Sequence, residues 1–206
     1  MNECENALNQ CRSWPKAGYG GDDLGFVCME GMTDNMYFLS NFEQRIVMMG
    51  NGSLVPPTSN NSPSSWESTF WKIRRCCRFL EHVDAAYFSD ESERTRMKVE
   101  ARTWRVWYHL NLLRWYGRHD GIPIVDKALA PAEVYIGRNT VEECLDFLNR
   151  EFDEILSVQD EKAFPFLWDE GRRDRISQAV VLAMKMDINL QFKQYDLAKA
   201  AAKRLI

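Results

Sequence analysis

The side chains best suited to ligand chemistry lie early in the sequence, in the stretch MTDNMYF. This stretch places Asp34 and Asn35 beside Tyr37. A ring face can pack on the C–H surface of a sugar while neighbouring carboxylate and amide groups hydrogen-bond to its hydroxyls. We therefore predict that these three residues contact a ligand of that kind, and Trp66 is added to the site on chemistry alone. The alternative is that Tyr37 and its neighbour Phe38 only anchor the loop to helices.

Patterns typical of catalysis or metal binding are missing from the sequence. The three histidines, His82, His109 and His119, form neither H-E-x-x-H nor a spaced cluster with cysteine. There is no G-x-S-x-G elbow, no Walker motif and no strand-linked G-x-G-x-x-G. We predict no enzymatic activity, no cofactor and no metal site. His109 falls on the polar stripe of a predicted helix, so we expect it to face solvent.

Charge and hydropathy narrow the possible partners. The 206 residues carry a formal net charge of −4, with basic residues interleaved among acidic ones. Neutralising phosphates is the main source of non-specific nucleic-acid affinity, so no nucleic-acid partner is expected. No stretch approaches the roughly eighteen consecutive apolar residues that span a bilayer. The first residues also lack the regions of a signal peptide, so we expect either a cytosolic protein or a mature or truncated form of a longer one.

The cysteines show no metal or redox spacing. None of the six forms a C-x-x-C pair, which argues against a zinc ribbon or a thioredoxin-like motif. Cys76 and Cys77 are neighbours on a predicted helix, point to different faces and rarely pair with each other. We predict that the cysteines are buried free thiols. They are Cys4, Cys11, Cys28, Cys76, Cys77 and Cys144.

Two compositions divide the chain. Residues 17–63 are rich in Gly, Pro, Ser and Asn, which is typical of turns and loops. Residues 4–13 show helical periodicity, and the pattern is mainly helical again from residue 64 onward, interrupted by a short extended segment, GIPIV at residues 121–125, and by loops. We expect one region over residues 1–206, with a loop-rich segment at 17–63 and a helical core at 64–206. The first helix of that core has an apolar face of Trp66, Phe70, Ile73, Cys77 and Leu80.

The stretch EARTWRVWYHLNLLRWYG, residues 100–117, belongs to the longest predicted helix. This helix starts at Ser89 or Asp90, and Gly117 can supply the left-handed residue after its end. Its apolar residues fall in two arcs, Met97, Trp104, Tyr108 and Trp115 in one and Val99, Val106, Leu110 and Leu113 in the other. A helix that is apolar on two sides must be covered on two sides. We predict that it is sandwiched between neighbours and that most of its aromatic rings lie in the core.

Further helices are predicted in the last third of the chain. Thr140 begins one with a capping box, T-V-E-E. The last two resemble a tetratricopeptide-type hairpin, in which Ala183 is a small residue of the first helix. In this interpretation Tyr195 packs in the turn and Ala198 lets the helices approach closely. One such pair cannot bury its own face, so we expect the sequence to continue beyond Ile206.

Four motifs in a fixed order carry a resemblance to a known family. They are WESTFWKIRRCCRFLEHV, EARTWRVWYHLNLLRWYG, GIPIV and RNTVEECLDFLNREFDEIL, and over residues 64–156 they resemble the SusD/RagB family of outer-membrane nutrient-binding lipoproteins. The chain departs from the family at Cys77, where asparagine is usual, and at His119 and Asp120, which enlarge the Y-G-G turn. Family members are well over twice as long, so the chain is similar to an N-terminal portion.

The resemblance implies an all-α fold, built from tetratricopeptide-like helical hairpins with long irregular loops. It implies non-catalytic binding of an oligosaccharide or other nutrient at the outward face of the outer membrane in Bacteroidetes-type bacteria. It further implies that the bound nutrient is delivered to a TonB-dependent transporter of the SusC type, and that the protein attaches to the membrane only through a lipid anchor that is not present in this chain. The aromatic-rich helix then serves as scaffold, and the loops before Trp66 are the place for ligand contacts.

Two other functions compete with this interpretation. One is a soluble tetratricopeptide-like adaptor that binds a partner protein or peptide; the other is a hydrolase, for which the sequence offers no catalytic constellation. A lipobox cysteine encoded upstream, beside a gene for a TonB-dependent transporter, would favour the first interpretation over the adaptor.

Overall fold

The computed structural model of the chain describes residues 2–12 and 66–206, and this part is built from α-helices without a β-strand. The helices are α1 (Asn2–Cys11), α2 (Trp66–His82), α3 (Glu91–Tyr116), α4 (Val141–Leu156), α5 (Gln178–Gln191) and α6 (Tyr195–Lys203). Three 3-10 turns connect them, at Val83–Ala85, Pro131–Glu133 and Glu170–Arg172. None of the helices described is both long and apolar enough to cross a membrane. The all-α fold class predicted from the sequence is confirmed.

Helix α3 is the centre of the helical body. It is 26 residues long, about 40 Å at the usual rise per residue, and it contacts α1, α4 and α5. Both predicted apolar arcs are buried, and Val106, Leu110 and Leu113 are fully enclosed. The predicted sandwich is therefore confirmed. Trp115 is the exception, with 42% of its surface exposed in the last turn of the helix.

The two ends of α3 are closed differently. At the start, Asp90 caps the helix, and its carboxylate accepts a 3.0 Å hydrogen bond from the Ser92 amide. At the end, the prediction of a left-handed Gly117 is wrong, because its φ is −111°. Lack of space is the reason for a glycine here, since a Cβ would lie 2.6 Å from the Ile122 side chain. The left-handed residue of this turn is Gly121, with φ +69°.

Helix α4 begins as predicted. The Thr140 hydroxyl accepts a hydrogen bond of 3.2 Å from the Glu143 amide, and the Glu143 carboxylate accepts one of 2.8 Å from the Thr140 amide. This reciprocal pair satisfies two amides that the first turn leaves open. The apolar face of α4 is buried at Cys144, Leu148 and Phe152, and the helix contacts α3.

Helices α5 and α6 form the predicted hairpin, but two of its details differ. Ala198 is buried between the helices, as expected. Tyr195 does not pack in the turn: it is the first residue of α6 and is 61% exposed. Ala183 is also exposed, so it does not mediate the close approach; Ala201 of α6 is buried instead. The turn contains Lys193 with a φ of +62°.

The described cysteines carry free thiols. Cys11, Cys76, Cys77 and Cys144 are buried, and Cys4 is partly buried. The prediction of buried free thiols is confirmed for four of the six cysteines; Cys4 is free but only partly buried, and Cys28 lies outside the described residues.

Candidate functional site

Three of the four predicted ligand residues, Asp34, Asn35 and Tyr37, lie outside the described residues. Their assignment stays a prediction. The fourth, Trp66, is the first residue of α2 and is partly exposed. The exposed part of an indole can stack on the C–H face of a sugar.

The inner face of helix α2 beyond Trp66 is buried. Ile73 and Cys76 are fully buried, and Phe79 lies near the end of the same face. The predicted face is shifted slightly, since Phe70 and Leu80 are only partly covered. Cys76 and Phe79 are buried as well as the predicted Cys77. The buried face of α2 is therefore wider than the i, i+3, i+4 pattern predicts.

Exposed aromatic rings occur outside the predicted site, and sequence analysis did not single them out. Trp71 of α2 is 59% exposed, Tyr87 before α3 is 88% exposed, and Tyr135 in the loop before α4 is 95% exposed. Trp71 lies off the apolar stripe of α2, on the side that carries Arg75 and Arg78. That position relative to the stripe is the signal that could have identified it. The other two rings lie in irregular segments, where helical periodicity gives no information.

The loop that displays Tyr135 is fixed at both ends. Toward α2, the Glu81 carboxylate accepts a 2.7 Å hydrogen bond from the Ala128 amide, and the Arg74 guanidinium donates to the Leu129 carbonyl. Toward α3, Arg138 donates to the Gly121 carbonyl at 2.8 Å. The loop is therefore held in place by two side chains of α2 and by its own Arg138.

The prediction that His109 faces solvent is wrong. The side chain is completely buried, and its Nε2 accepts a 3.1 Å hydrogen bond from the Val125 amide while Nδ1 donates to the Arg105 carbonyl at 2.8 Å. Burial lowers the pKa of His109 from 6.5 to about 4. The neutral imidazole thus links α3 to the extended GIPIV segment by hydrogen bonds. This segment covers His109 on the face of α3 that was predicted to be polar.

The buried carboxylates of the helical body are bound to arginines. Glu100 pairs with Arg96 at 2.7 Å, and the Arg12 guanidinium approaches the same carboxylate at 2.5 Å. Glu151 is bound by two arginines of α3, Arg102 and Arg105, at 2.8 Å each. Within residues 2–12 and 66–206, no group of three or more His, Cys, Asp or Glu residues is arranged to hold a metal ion. Glu151 therefore joins α4 to α3, and Arg12 joins the end of α1 to Glu100 of α3.

Known proteins resemble this chain in sequence as well as in fold. A family model described as "Starch-binding associating with outer membrane" matches residues 27–154, which is more than half of the chain. The chain belongs to the SusD-like family. The match includes Asp34, Asn35, Tyr37 and Trp66, and it confirms the resemblance that the four sequence motifs carry. A search of curated protein sequences finds no match.

Solved SusD-like structures share the fold. Surface glycan-binding protein A from Bacteroides uniformis has a TM-score of 0.74 at 22% identity, covering 99% of this chain and 45% of that one. A laminarin binding SusD-like protein has a TM-score of 0.74 at 15% identity, covering 100% of this chain and 43% of that one. Surface glycan-binding protein A from Bacteroides thetaiotaomicron, in complex with laminarihexaose, has a TM-score of 0.73 at 16% identity, covering 98% of this chain and 41% of that one. The chain thus spans less than half the length of these SusD-like proteins.

Proposed function

We propose that this SusD-like chain binds carbohydrate without transforming it. The observation that carries the proposal is the family match over residues 27–154, whose description is starch-binding and outer-membrane association. Two proteins of the same fold are named for binding laminarin or are solved with laminarihexaose.

The ligand contacts proposed for this chain are Asp34, Asn35, Tyr37 and Trp66. Tyr37 and Trp66 offer rings for the C–H face of a sugar, and the other two offer oxygen and amide groups for its hydroxyls. Support comes from the chemistry of these side chains and from the partial exposure of Trp66 at the start of α2. Stacking tolerates different sugars, so the polar pair is expected to set selectivity.

An affinity-gel and calorimetry experiment tests this proposal. The chain is run through native gels containing laminarin or starch, and binding is titrated with laminarihexaose and with maltohexaose. Trp66→Ala is expected to weaken binding at least tenfold, and Trp66→Phe, which keeps a ring, is expected to retain most of it. Trp71→Ala is the matched control, because it removes an exposed indole five positions along the same helix.

The outcomes separate the site from the function. Retardation that is lost in Trp71→Ala but kept in Trp66→Ala would leave carbohydrate binding in place and move the site. No retardation by any glycan would overturn the binding function itself. Incubated glycans are also analysed by chromatography, and release of shorter products would contradict the non-catalytic proposal.

The proposed cellular role is delivery of the bound glycan to a TonB-dependent transporter of the SusC type at the outward face of the outer membrane. A lipid anchor would hold the protein there. The description of the family model supports the membrane association. Solubilising outer membranes with mild detergent and purifying the tagged protein should recover a SusC-type transporter, identified by mass spectrometry. Protease added to intact cells should cleave the protein if it faces outward, and protection from that protease would contradict the location.

A further inference from the structure

Helix α2 turns one row of aromatic and basic side chains to solvent. Trp71, Arg75 and Arg78 follow one another at intervals of four and three residues, so they lie on one face of the helix. All three side chains are exposed, and Trp71 exposes 59% of its surface. The other side of the helix is buried at Ile73 and Cys76. We call the three exposed residues the α2 stripe.

The two arginines of the α2 stripe lack a carboxylate partner. Within residues 2–12 and 66–206, neither of them forms an ion pair or a hydrogen bond. A helical arginine can pair with an acid three or four positions away, but Arg75 has no acid at those positions. Arg78 has Glu81, whose carboxylate accepts a 2.7 Å hydrogen bond from the Ala128 amide instead. The positive charge of the stripe is therefore available to a ligand.

Exposed lysines elsewhere on the surface show the alternative, which is an acid partner. Lys127 binds Glu133 at 2.7 Å, and Lys162 binds Asp90 at 2.5 Å. In the α2 stripe two cationic side chains instead lie one turn apart, and like charges at this spacing repel each other. An anion bound between them would relieve this repulsion as well as form new contacts.

The α2 stripe is bordered by a loop that is fixed to the same helix. Arg74, three positions after Trp71, donates a hydrogen bond to the Leu129 carbonyl. Glu81, three positions after Arg78, holds the next residue toward the N-terminus of that loop. The polar side chains beside the stripe are thus already engaged by the chain itself. A surface that is held in place before binding loses less entropy when a ligand arrives.

The side chains of the α2 stripe match two features of an acidic sugar. A planar guanidinium forms two parallel hydrogen bonds with a carboxylate, which is a geometry that an ammonium group does not offer. An indole face packs on the C–H surface of a sugar ring. A uronic acid carries both partners, because its carboxylate is attached to a sugar ring.

We propose that the α2 stripe binds an acidic polysaccharide built from uronic acids. Arg75 and Arg78 pair with carboxylates of the polymer, and Trp71 stacks on one of its sugar rings. The choice of a sugar over another polyanion rests on the proposed carbohydrate-binding function. The stripe is separate from the site proposed at Trp66, since five positions rotate a side chain by about 140° around a helix.

Calorimetric titration with three ligands tests the proposal on the wild-type chain. Polygalacturonate supplies carboxylates on sugar rings, polyaspartate supplies carboxylates without sugar, and laminarihexaose is a neutral sugar. The chain should bind polygalacturonate, and it should bind polyaspartate about tenfold more weakly or worse, because the indole then has no sugar ring to stack on. These comparisons use one protein and do not depend on whether a variant folds.

Two double variants locate the binding surface. Arg75→Gln with Arg78→Gln should weaken polygalacturonate binding by about tenfold or more and leave laminarihexaose binding unchanged. Arg118→Gln with Arg204→Gln is the matched control, because it removes the same charge from exposed arginines outside α2. Its affinity for polygalacturonate should stay within about twofold at about 0.1 M salt, where charges more than about 10 Å apart are largely screened. Circular dichroism checks that both variants are folded.

The outcomes distinguish this inference from the proposed function. Binding of laminarihexaose without binding of polygalacturonate would overturn the inference and leave the proposed function in place. Equal affinity for polyaspartate would show a surface that recognises anions without sugar, which also contradicts it. An equal loss of polygalacturonate binding in the two double variants would place the contact outside the α2 stripe. Binding of polygalacturonate in the absence of laminarihexaose binding would support the stripe and count against the site at Trp66.

Discussion

Glu151 offers a quantitative test of how α4 is joined to α3. Its carboxylate accepts hydrogen bonds from Arg102 at 2.8 and 2.9 Å and from Arg105 at 2.8 Å, and only 6% of the side chain is exposed. Glu154, one turn away, contacts the same Arg102 but is 51% exposed. The two glutamates therefore differ mainly in burial and in the second arginine.

The expected magnitude follows from the pKa of Glu151. Burial alone would raise it, but the hydrogen bonds and charges of Arg102 and Arg105 outweigh burial and lower it from 4.5 to about 2. Because the carboxylate is a stronger acid in the folded chain, its charge contributes stability that is complete above pH 4.5 and is lost as pH falls toward 2. At about 1.4 kcal/mol for each tenfold change in the acid constant, the contribution at neutral pH is about 3 kcal/mol.

Urea unfolding of two variants measures this contribution. Glu151→Gln is expected to lower the free energy of unfolding by about 3 kcal/mol at pH 7, because it leaves Arg105 buried without a carboxylate. Glu154→Gln is the matched control and is expected to cost about 0.5 kcal/mol or less, as exposed ion pairs do. At about pH 3 the difference between wild type and Glu151→Gln should fall to less than half. Equal losses in the two variants, or a difference that does not change with pH, would refute the reasoning.

Three further predictions concern the turn and the helix around it. Gly121→Ala should lower the free energy of unfolding by about 3 kcal/mol or more, because the added Cβ would lie 1.9 Å from the Asn139 carbonyl oxygen and the φ of +69° is strained for alanine. Gly137→Ala is the control: a Cβ there would meet nothing within 4 Å, so its free energy of unfolding should stay within about 0.5 kcal/mol of wild type. Thr140→Ala should cost about 1 kcal/mol in the same urea assay, and a loss near zero would show that the cap is dispensable. His109 has a lowered pKa of about 4, so wild-type stability should fall as pH drops from 6.5 to 4; His109→Gln should remove that dependence, and an unchanged pH profile would contradict the assignment.

Local signals in the sequence were sufficient for the helices and several of their ends. The capping box at Thr140 is a pattern of four residues, and its two hydrogen bonds form between neighbours in the chain. The two apolar arcs of α3 likewise require only helical geometry, and both are buried apart from Trp115. The order of four motifs was enough for the family, because spacing over residues 64–156 is specific even when identity is low.

Features that depend on contacts between distant segments were missed. His109 looks polar from its helix alone, and only the later extended segment, with the Val125 amide, makes it a buried acceptor. The left-handed conformation was predicted for Gly117 but is adopted by Gly121, because the sequence does not show which of two glycines in one turn has a positive φ. For the candidate site, Trp66 was named and is partly exposed, while the more exposed Trp71 was passed over.

The charged residues of α3 explain how one helix can be covered on more than two sides. Arg96 binds Glu5 of α1 at 2.8 Å, and Arg102 binds Glu151 of α4. Arg175, just before α5, reaches Glu5 at 2.9 Å and Glu100 at 3.4 Å. Apolar contacts tolerate small shifts between helices, whereas a buried ion pair is satisfied only where both partners meet and is costly when one is left alone. The polar stripe of α3 therefore determines which neighbour lies against which turn, and the apolar arcs supply most of the buried area.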